Sequence, residues 1–577
     1  MTRGFLSAVI ALVLVQPAVA IQLLDVRKVW DNAPHNAFTD LVRFDDQFYL
    51  TFREASVHIV PPVGSAGGNI RVLRSADGET WSSAALLDGG ANRDYRDSYL
   101  SVTPEGRLLL NSAVAPHESV LERQSLAWLS DDGSTWSSPT EVGDANYWMW
   151  QTQWHEGHAY SIGYGPTTEG ESNWETRLYR SSDGVSYETI VGTLNSGGGS
   201  NETGLLFRDD GSAVALVRRD NSPNMALVGT AAGDYTNWTF KDTGVAIGGP
   251  EIIQIPDGRI VAATRLYDSG GNTGHTALSW LDPEAGTLKR FLNLPSGGDN
   301  SYPGMVWHND QLWVSYYSSH EGKASIYLAE VAIRALGSPI EHLGSNDPLS
   351  EGWNFDSNSS NYQVNPGTDS QSFWSVAQPA GNRANYYAPL FTEDVEDPSG
   401  WTATARVKLV EGGTAPGDVT LDVKDGENLW SLHFIEGDGT TPGGLWTVDA
   451  NYQLDTRLAD VDPAADYHVY QMIYDPAGNG SQGLLRYYMD GNLLGTATRD
   501  DTRASGELAF RFGDARSMSS FDTSAQWAWV RFETGQHVVP EPAAVAMLAG
   551  TAVADERPAW TCLPSTASKR VCRFAWR

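Results

Sequence analysis

A hairpin pattern recurs six times along this chain, at a spacing of about 50 residues. Each copy consists of two β-rich runs on either side of a polar turn. The turns centre on Asp46, Gly106, Gly157, Gly211, Gly258 and Asp310. Repeats of this length, each able to hold four short strands, are typical of propeller blades. The sequence therefore predicts an all-β chain with a six-bladed β-propeller over residues 21–335.

A shorter motif marks three of these repeats, as SADGETW from Ser75, SDDGSTW from Ser130 and SSDGVSY from Ser181. In such a turn the Ser and Asp side chains bond nearby backbone amides, and Gly supplies a positive φ. We therefore interpret the motif as a turn device rather than a site. It predicts that its aspartates lie on the outer rim, away from any functional cavity: Asp77, Asp132 and Asp183.

The charge of the chain limits its partners. A formal net charge of −32 argues against nucleic acid and against anionic membrane surfaces. An anionic ligand would therefore need a local cluster of arginines to overcome the surrounding field.

The N-terminus carries the pattern of an export signal. Arg3 precedes the apolar run FLSAVIALVLV, and the small residues of QPAVA follow it, so residues 1–20 are predicted to be a secretory signal peptide. Both cysteines, Cys562 and Cys572, fall near the end of the chain, so the folded body has none. Export without disulfides indicates a periplasmic, outer-surface or extracellular protein of a Gram-negative bacterium.

A second domain is predicted after the propeller. The blade rhythm ends at Ile333, and the polar passage over 336–350 has the composition of a linker. Alternating apolar and polar residues over 351–535 predict a β-sandwich. The run YHVYQMIYD…YYMDGNLLG resembles the jelly rolls of concanavalin-like and laminin-G-like domains. That resemblance implies either a carbohydrate-binding module or a simple spacer.

The last segment, 536–577, contains VVPEPAAVAMLAG, which resembles the start of a bacterial PEP-CTERM sorting signal. Members of that family continue with a membrane-spanning apolar run and a basic cluster. Here Asp555 and Glu556 interrupt the apolar run, which is too short to cross a hydrocarbon layer of ~30 Å. We therefore predict a degenerate sorting signal and no stable membrane span.

The six hairpins and the Asp-Gly turns resemble the sialidase (neuraminidase) superfamily, whose six-bladed propellers carry Asp-box turns on the rim. The most specific match is NETGLLFRDDGSAVALVR, in which Glu202 opens one strand and Arg218 ends the next. Tyr302, in SYPGMVWHNDQLWVSYY, resembles the nucleophilic tyrosine of that family. The resemblance implies that Tyr302 is the nucleophile, Glu202 its base and Arg218 a clamp for a substrate carboxylate.

These residue types suit an anionic sugar. A carboxylate on the anomeric carbon would repel a carboxylate nucleophile, whereas a neutral tyrosine activated by a glutamate avoids that repulsion. Arginines hold such a carboxylate through bidentate, charge-assisted hydrogen bonds. Positions equivalent to Arg218 in two other repeats hold Arg53 and Arg265, and we predict that all three face one central cavity.

The sequence also departs from the family pattern. Ala37 stands where the first clamp arginine is expected, and no aspartate matches the acid/base residue of the family. Four polar residues near the first two blades are candidates for these functions: Glu54, His58, Arg96 and Asp97. Trp150, in WMWQ, either stacks on a sugar or belongs to an aromatic blade core.

We therefore predict an exported, sialidase-like exo-glycosidase that removes terminal, acidic sugars from glycans and uses neither cofactor nor metal. Two alternatives stay open. One is a non-catalytic propeller that binds glycans or mediates adhesion, and the other is a glycosidase that acts on a different sugar. The sequence leaves the sugar linkage and the oligomeric state open.

Overall fold

The computed structural model describes most of the chain between residues 21 and 538. Its ranges are 21–59, 66–90, 93–116, 123–167, 170–267, 274–411, 419–436, 442–448, 453–481, 483–498, 503–514 and 522–538. The predicted signal peptide (1–20) and nearly all of the predicted sorting signal (536–577) lie outside them. The predicted all-β fold is confirmed. The described residues form two compact units, Ile21–Ala335 and the part from Leu336 onward.

The first unit consists of six four-stranded antiparallel sheets, which confirms the six-bladed propeller. The chain begins with β1 (Ile21–Trp30). Blade one comprises β2 (His35–Phe44), β3 (Gln47–Ala55), β4 (Asn69–Ser75) and β5 (Ser82–Leu87). Blade two comprises β6 (Arg93–Val102), β7 (Leu108–Pro116), β8 (Gln124–Ser130) and β9 (Thr140–Val142). Blade three comprises β10 (Trp148–His155), β11 (His158–Thr167), β12 (Gly170–Ser181) and β13 (Tyr187–Asn195).

The remaining blades follow the same order from the axis outward. Blade four comprises β14 (Ser200–Phe207), β15 (Ala213–Arg219), β16 (Leu227–Ala231) and β17 (Thr239–Asp242). Blade five comprises β18 (Ile247–Gln254), β19 (Ile260–Tyr267), β20 (Gly274–Asp282) and β21 (Thr287–Asn293). Blade six comprises β22 (Asn300–His308), β23 (Gln311–Ser318) and β24 (Ser325–Ile333), and β1 is its outermost strand.

Blade six is therefore built from both ends of the propeller sequence. β1 runs antiparallel to β24, from Ile21 opposite Ile333 to Trp30 opposite Ile326. This pairing closes the ring, because the last blade borrows its outer strand from the start of the unit. The repeat pattern, which counts inner hairpins, does not predict this exchange.

The second strand of blade four, β15, is apolar from Ala213 to Val217 because neighbouring blades cover both of its faces. In β15, Ala213, Ala215 and Val217 pack with residues of blade three, such as Ile162. The alternate residues Val214 and Leu216 pack with residues of blade five. Side chains alternate between the two faces of a strand, so a strand buried on both faces becomes an unbroken apolar run.

The innermost strand of every blade carries a bulge at the same level. In each, two residues face a single residue of the second strand, and the register shifts there. The bulged pairs are residues 38–39, 97–98, 150–151, 201–202, 249–250 and 302–303. A bulge bends its strand and re-aims a side chain. Three bulged residues other than glycine have positive φ, namely Phe38, Asp97 and Tyr302.

The Ser-x-Asp-Gly turns connect the third strand of a blade to its outer strand. In the first, the Asp77 carboxylate accepts from Glu79 N at 2.9 Å and Thr80 N at 2.8 Å. Gly78 has φ of +76°, and a Cβ there would lie 2.4 Å from the ring of Trp313 in blade six. The equivalent Gly133 packs in the same way against Tyr49 of blade one. These turns therefore contact the preceding blade, and only glycine leaves enough space.

The second unit consists of two antiparallel sheets of eight strands each. The first contains β25 (Ile340–Leu343), β27 (Gln363–Thr368), β28 (Ser372–Gln378), β30 (Trp401–Glu411), β35 (His468–Asp475), β36 (Leu484–Met489), β37 (Asn492–Ala497) and β40 (Thr523–Thr534). The second contains β26 (Asn354–Ser357), β29 (Ala384–Pro389), β31 (Thr420–Asp425), β32 (Asn428–Ile435), β33 (Gly444–Val448), β34 (Leu454–Ala459), β38 (Arg503–Ala504) and β39 (Leu508–Asp514). Short helical turns are Pro348–Glu351, α1 (Thr392–Val395) and Gly478–Ser481.

The two sheets face each other across one aromatic core. Trp401 and Trp527 of the first sheet and Trp430 of the second are fully buried in it. The rings of Trp430 and Tyr474, which belong to opposite sheets, lie 5.3 Å apart. Interdigitated inner faces of this kind define a β-sandwich.

The segment 336–350, predicted to be a linker, contributes to the sandwich. Ile340 and His342 are buried, and β25 pairs with β40. The Glu351 carboxylate lies 2.6 Å from His342 Nδ1 and accepts from Leu343 N. The polar composition of the segment concealed this strand, because its buried polar groups are paired with one another. Within the part of the chain that the structure describes, no helix is long and apolar enough to span a bilayer.

Candidate active site

A cavity of about 490 Å³ lies where the bulges of several innermost strands meet. Most of its lining comes from these bulges and from the strand ends beside them. The lining residues are Phe38, His58, Arg96, Asp97, Arg123, Trp148, Tyr164, Trp174, Gly199, Asn201, Glu202, Asp220, Asn221 and Tyr302. A pocket of this size is in the range of small-molecule sites.

The structure brings Tyr302, Glu202 and Arg218 into direct contact. Tyr302 Oη donates to Glu202 Oε1 at 2.5 Å. Arg218 Nη1 donates to Glu202 Oε2 at 2.7 Å and to Tyr302 Oη at 3.2 Å. Arg218 Nε donates to Asp220 Oδ1 at 2.8 Å, which fixes the guanidinium from its other side. The phenol oxygen therefore lies between a carboxylate acceptor and a cationic donor.

Backbone geometry holds this group in place. Gly249 N donates to Glu202 Oε2 at 2.9 Å, so both oxygens of the carboxylate are engaged. Gly249 has φ of +55°, and a Cβ there would lie 3.0 Å from the Tyr302 ring. Only glycine combines this conformation with so close an approach. Blade five thus supports the phenol of blade six.

The electrostatics keep the phenol neutral and the guanidinium charged. Burial raises the pKa of Tyr302 well above its ordinary value, and the negative charge of Glu202 raises it further. Burial alone would lower the pKa of Arg218, but the charge of Glu202 and contact with Tyr302 raise it well above the ordinary value. The phenol therefore keeps its proton, which it donates to Glu202.

Asp97 lies at the bulge of blade two and lines the same cavity. Its residue is only 7% exposed, and its Oδ1 has no hydrogen-bond partner among the described residues. Burial raises the pKa of Asp97 to about 7, and the charge of Glu202 adds to this, while Arg96 opposes it. Near neutral pH this carboxyl is partly protonated, so it can donate or accept a hydrogen bond with a ligand.

His58 lies at the mouth of the cavity, where its side chain is 48% exposed. Its Nδ1 lies 2.7 Å from Asp299 Oδ2, and His35 Nε2 lies 2.8 Å from the same oxygen. The ligand atoms of these three groups all lie within 4.8 Å of one another, as a metal site would require. Asp299 gave no signal in the sequence, although it stands only three residues before Tyr302.

Two residues predicted for the site have structural partners elsewhere. Arg53 is fully buried and does not line the cavity; its Nε donates to Asp94 Oδ1 at 2.8 Å. Glu54 accepts from Trp30 Nε1 at 2.6 Å and from Arg71 Nη2 at 2.8 Å. These contacts account for both side chains within the first blade and its neighbours.

The other two predicted arginines lie closer to the cavity. Arg265 is behind Tyr302: its guanidinium carbon lies 5.7 Å from that ring, and its Nε donates to Asn300 O at 2.9 Å. Arg96 lines the cavity itself, donates to His58 O at 3.0 Å and lies 5.1 Å from the ring of Phe38. Arg218 and Arg96 thus border the site, whereas Arg265 supports it.

Aromatic side chains line part of the cavity, and the sequence did not predict which ones. Trp150 is 1% exposed and packs 5.5 Å from the Tyr302 ring, as the blade-core alternative expected. Trp148 and Trp174 line the cavity instead, and the Arg123 guanidinium lies 5.5 Å from the first ring and 4.6 Å from the second. Trp148 and Trp150 are two residues apart on one strand, and such positions usually share a face of the strand. The prediction for Trp150 could therefore have pointed to Trp148 as well.

No family model and no curated protein matches this sequence. A protein of unknown function from Dyadobacter fermentans has 16% identity and a TM-score of 0.48, over 55% of this chain and 100% of its own. Trypanosoma rangeli sialidase in complex with sialic acid has 12% identity and a TM-score of 0.41, over 89% and 95% of the two chains. A Hadza microbial sialidase has 16% identity and a TM-score of 0.42, over 52% and 66%. Likeness at this level concerns the fold alone.

Proposed function

We propose that this protein is a glycoside hydrolase that uses Tyr302 as its nucleophile on a terminal, carboxylate-bearing sugar of a glycan. The contact of the Tyr302 hydroxyl with Glu202 at 2.5 Å and with Arg218 at 3.2 Å is the observation that carries the proposal. The resemblance of these positions to the sialidase superfamily supports it. Export to the periplasm, outer surface or medium, inferred from the sequence, would bring the enzyme to such glycans.

The geometry accounts for the first chemical step. As the phenol oxygen bonds to the anomeric carbon, its proton passes to Glu202 Oε1, so the carboxylate acts as a general base. Arg218 stays in contact with both groups and can also pair with a substrate carboxylate. Asp97, which faces the same cavity, is placed to hydrogen-bond a sugar hydroxyl.

The aromatic wall favours sugar binding whether or not hydrolysis occurs. Trp148, Tyr164 and Trp174 line one side of the cavity and offer rings on which a sugar can stack. This observation supports the second candidate, a glycan-binding propeller without catalysis. Ala37 is fully buried, so it supplies no clamp. Arg96 and Arg123 line the cavity, and Arg218 contacts the lining residues Glu202 and Tyr302.

A covalent trap distinguishes the candidates. The full chain is incubated with a panel of fluorogenic glycosides, acidic and neutral, and then with a fluorinated derivative of the sugar that it hydrolyses. We expect a glycosyl mass on the peptide that contains Tyr302 and none in Tyr302→Phe. A label on Asp97 or Glu202 would overturn the tyrosine mechanism. Binding of glycans without hydrolysis of any substrate would favour the second candidate.

A further inference from the structure

The mouth of the cavity holds a second group of interacting side chains that the proposed function does not use. His58 and His35 both contact Oδ2 of Asp299, at 2.7 and 2.8 Å. The other oxygen, Oδ1, accepts the hydroxyl of Tyr317 at 2.8 Å. One carboxylate thus orients two imidazole rings, of which only His58 lines the cavity.

The hydrogen-bond donors and acceptors around these side chains determine which ring nitrogens carry protons. Arg53 has donors only, and its Nη1 lies 3.4 Å from His35 Nδ1, so that nitrogen accepts and the ring proton of His35 is on Nε2. Burial lowers the pKa of His35, which keeps the ring neutral. Burial acts to raise the pKa of Asp299, but hydrogen bonds from His35 and His58 hold it well below its usual range. The ionised Asp299 only accepts, so His58 Nδ1 donates to it and Nε2 is left to exchange a proton.

The position of His58 suits a leaving group. A displaced group departs on the face opposite the attacking oxygen, and here the attack comes from Tyr302 at the base of the cavity. The ring of Phe38 packs against both residues, 4.9 Å from the ring of Tyr302 and 5.6 Å from that of His58. Asp97, in contrast, is 7% exposed and belongs to the same level of bulges as Tyr302. The half-exposed His58 is therefore on the side where the leaving group emerges.

We propose that His58 is the acid/base residue of glycoside hydrolysis in this protein and that Asp299 positions it, an inference that depends on the proposed function. In the first step the glycosidic C–O bond breaks, and the leaving oxygen takes the Nε2 proton of the protonated ring. Tyr302 Oη meanwhile bonds to the anomeric carbon and gives its proton to Glu202. In the second step neutral Nε2 takes a proton from water, whose oxygen displaces Tyr302, and Tyr302 recovers its proton from Glu202.

The same side chains suit hydrogen bonding better than a metal ion. A histidine that binds a metal usually donates its second ring N–H to an acceptor. His35 Nδ1 faces the donors of Arg53 instead, and Arg265 Nη2 places a further positive charge 3.8 Å from Asp299 Oδ1. Both contacts oppose the binding of a cation by these three groups.

Substrates with different leaving groups test whether His58 acts as the acid. An alkyl glycoside needs a proton to leave, whereas a nitrophenyl glycoside of the same sugar needs little help. We expect His58→Gln to lower kcat/KM on the alkyl glycoside by about 10²-fold or more, the range of general acid catalysis, and to change the nitrophenyl glycoside much less. Asp299→Asn should give a smaller loss with the same dependence on the leaving group. His320→Gln, a histidine bonded to Ser318, is the matched control and should match the wild type.

Several outcomes would overturn the assignment. Equal losses of His58→Gln on both substrates, or no loss on either, would remove His58 from the chemistry. The same leaving-group dependence in Asp97→Asn but not in His58→Gln would give the role to Asp97. Loss of activity in a chelator with recovery in Zn²⁺ would indicate a metal site. His58→Ala, assayed with added imidazole, guards against a folding artefact, because recovery by imidazole requires an intact site. Failure of the wild type on every glycoside would instead contradict the proposed function.

Discussion

The hydroxyl of Tyr302 donates a 2.5 Å hydrogen bond to Glu202, a residue 100 positions earlier in the chain and two blades away. Arg218, from the strand that pairs with that of Glu202, contacts both groups. The three residues come from two different sheets, so their geometry depends on the closed ring as a whole. Because the proposed mechanism gives the phenol, its acceptor and its cationic neighbour separate roles, single substitutions should separate turnover from binding.

Tyr302→Phe should abolish turnover and leave ligand binding nearly intact. The change removes the nucleophilic oxygen, so kcat should fall on the order of 10³-fold or more. Only one hydrogen bond to a bound ligand is lost, which costs about 0.5–1.5 kcal/mol. Turnover kinetics and calorimetric titration with a competitive inhibitor measure the two effects. Tyr316→Phe, whose hydroxyl donates to Pro295 O outside the cavity lining, is the control. Full activity of Tyr302→Phe on any hydrolysed glycoside would contradict the mechanism.

Arg218→Ala should discriminate between acidic and neutral ligands. If its guanidinium pairs with a substrate carboxylate, binding should weaken by about 1.5–3 kcal/mol, the range for hydrogen bonds to charged groups. A carboxamide analogue should lose much less, since it carries no charge. Titration of both ligands into the variant, and into the control Arg208→Ala in the turn after β14, outside the cavity lining, gives the comparison. Equal losses for the acid and the amide would show that no carboxylate is bound there.

Gly249→Ala should lower activity by more than the strain of a left-handed alanine explains. The new Cβ would lie 3.0 Å from the Tyr302 ring at a residue with φ of +55°, so it displaces the phenol from Glu202. Gly211→Ala is the matched control, because Gly211 has φ of +79° and open space around its Cβ position. Both variants should lose about 1–2 kcal/mol of stability from the left-handed conformation. Only Gly249→Ala should also lose most of its kcat, and equal activity of the two variants would contradict the supporting role.

Asp97→Asn should become more stable relative to the wild type as the pH rises. Burial raises the pKa of Asp97 from 3.8 to about 7, so its contribution to stability is complete below pH 3.8 and is lost as the pH rises through 7. Asn cannot ionise and avoids this loss. Asp77→Asn is a control of opposite sign: hydrogen bonds from Thr80 N and Glu79 N lower the pKa of Asp77 to about 2, and that contribution is lost on acidification. Urea unfolding from pH 2 to 8 covers both windows, and parallel curves for Asp97→Asn and the wild type would contradict the assignment.

A chain that ends at Ala335 should fold without the sandwich. All six blades are complete within residues 21–335, because β1 supplies the outer strand of the last one. Ending at Ala335 also excludes β25, which pairs with β40 of the second unit. Circular dichroism during heating should show a single cooperative transition. An insoluble or non-cooperative product would place the boundary elsewhere.

The repeat pattern was sufficient to predict the propeller, and the resemblance to sialidases singled out Tyr302, Glu202 and Arg218, which are in contact in the structure. Glu202 and Arg218 occupy the two arms of one hairpin, so their contact follows from the register of that hairpin alone. Tyr302 joins them because repeated blades place equivalent residues around one axis. The ring of six similar units placed these residues at one axis, and the family resemblance selected them.

The differences between the sequence predictions and the structure arise from features that the local sequence does not indicate. The register shift between Ala37 and Asp40 turns Phe38, and not Ala37, toward the cavity. No residue in that stretch indicates a bulge from the sequence. Arg53 matched Arg218 in position, but its partner Asp94 is 41 residues away on another blade. Both arginines pair with a buried carboxylate, Arg218 with Glu202 and Arg53 with Asp94. Which carboxylate each arginine contacts depends on the folded neighbourhood and not on the repeat.

Closure of the ring by β1 has a consequence for the growing polypeptide. Arg27 and Glu330, which form an ion pair across β1 and β24, are 303 residues apart. At a translation rate of about 5–20 residues per second, the first strand therefore remains without its partner for roughly 15–60 s. During that time its backbone groups present an open edge, which invites pairing with other chains. The edge of β1 can be paired only after Ile333 has been synthesised, and we expect this closure to be a slow step because the contacts it makes are far apart in the sequence.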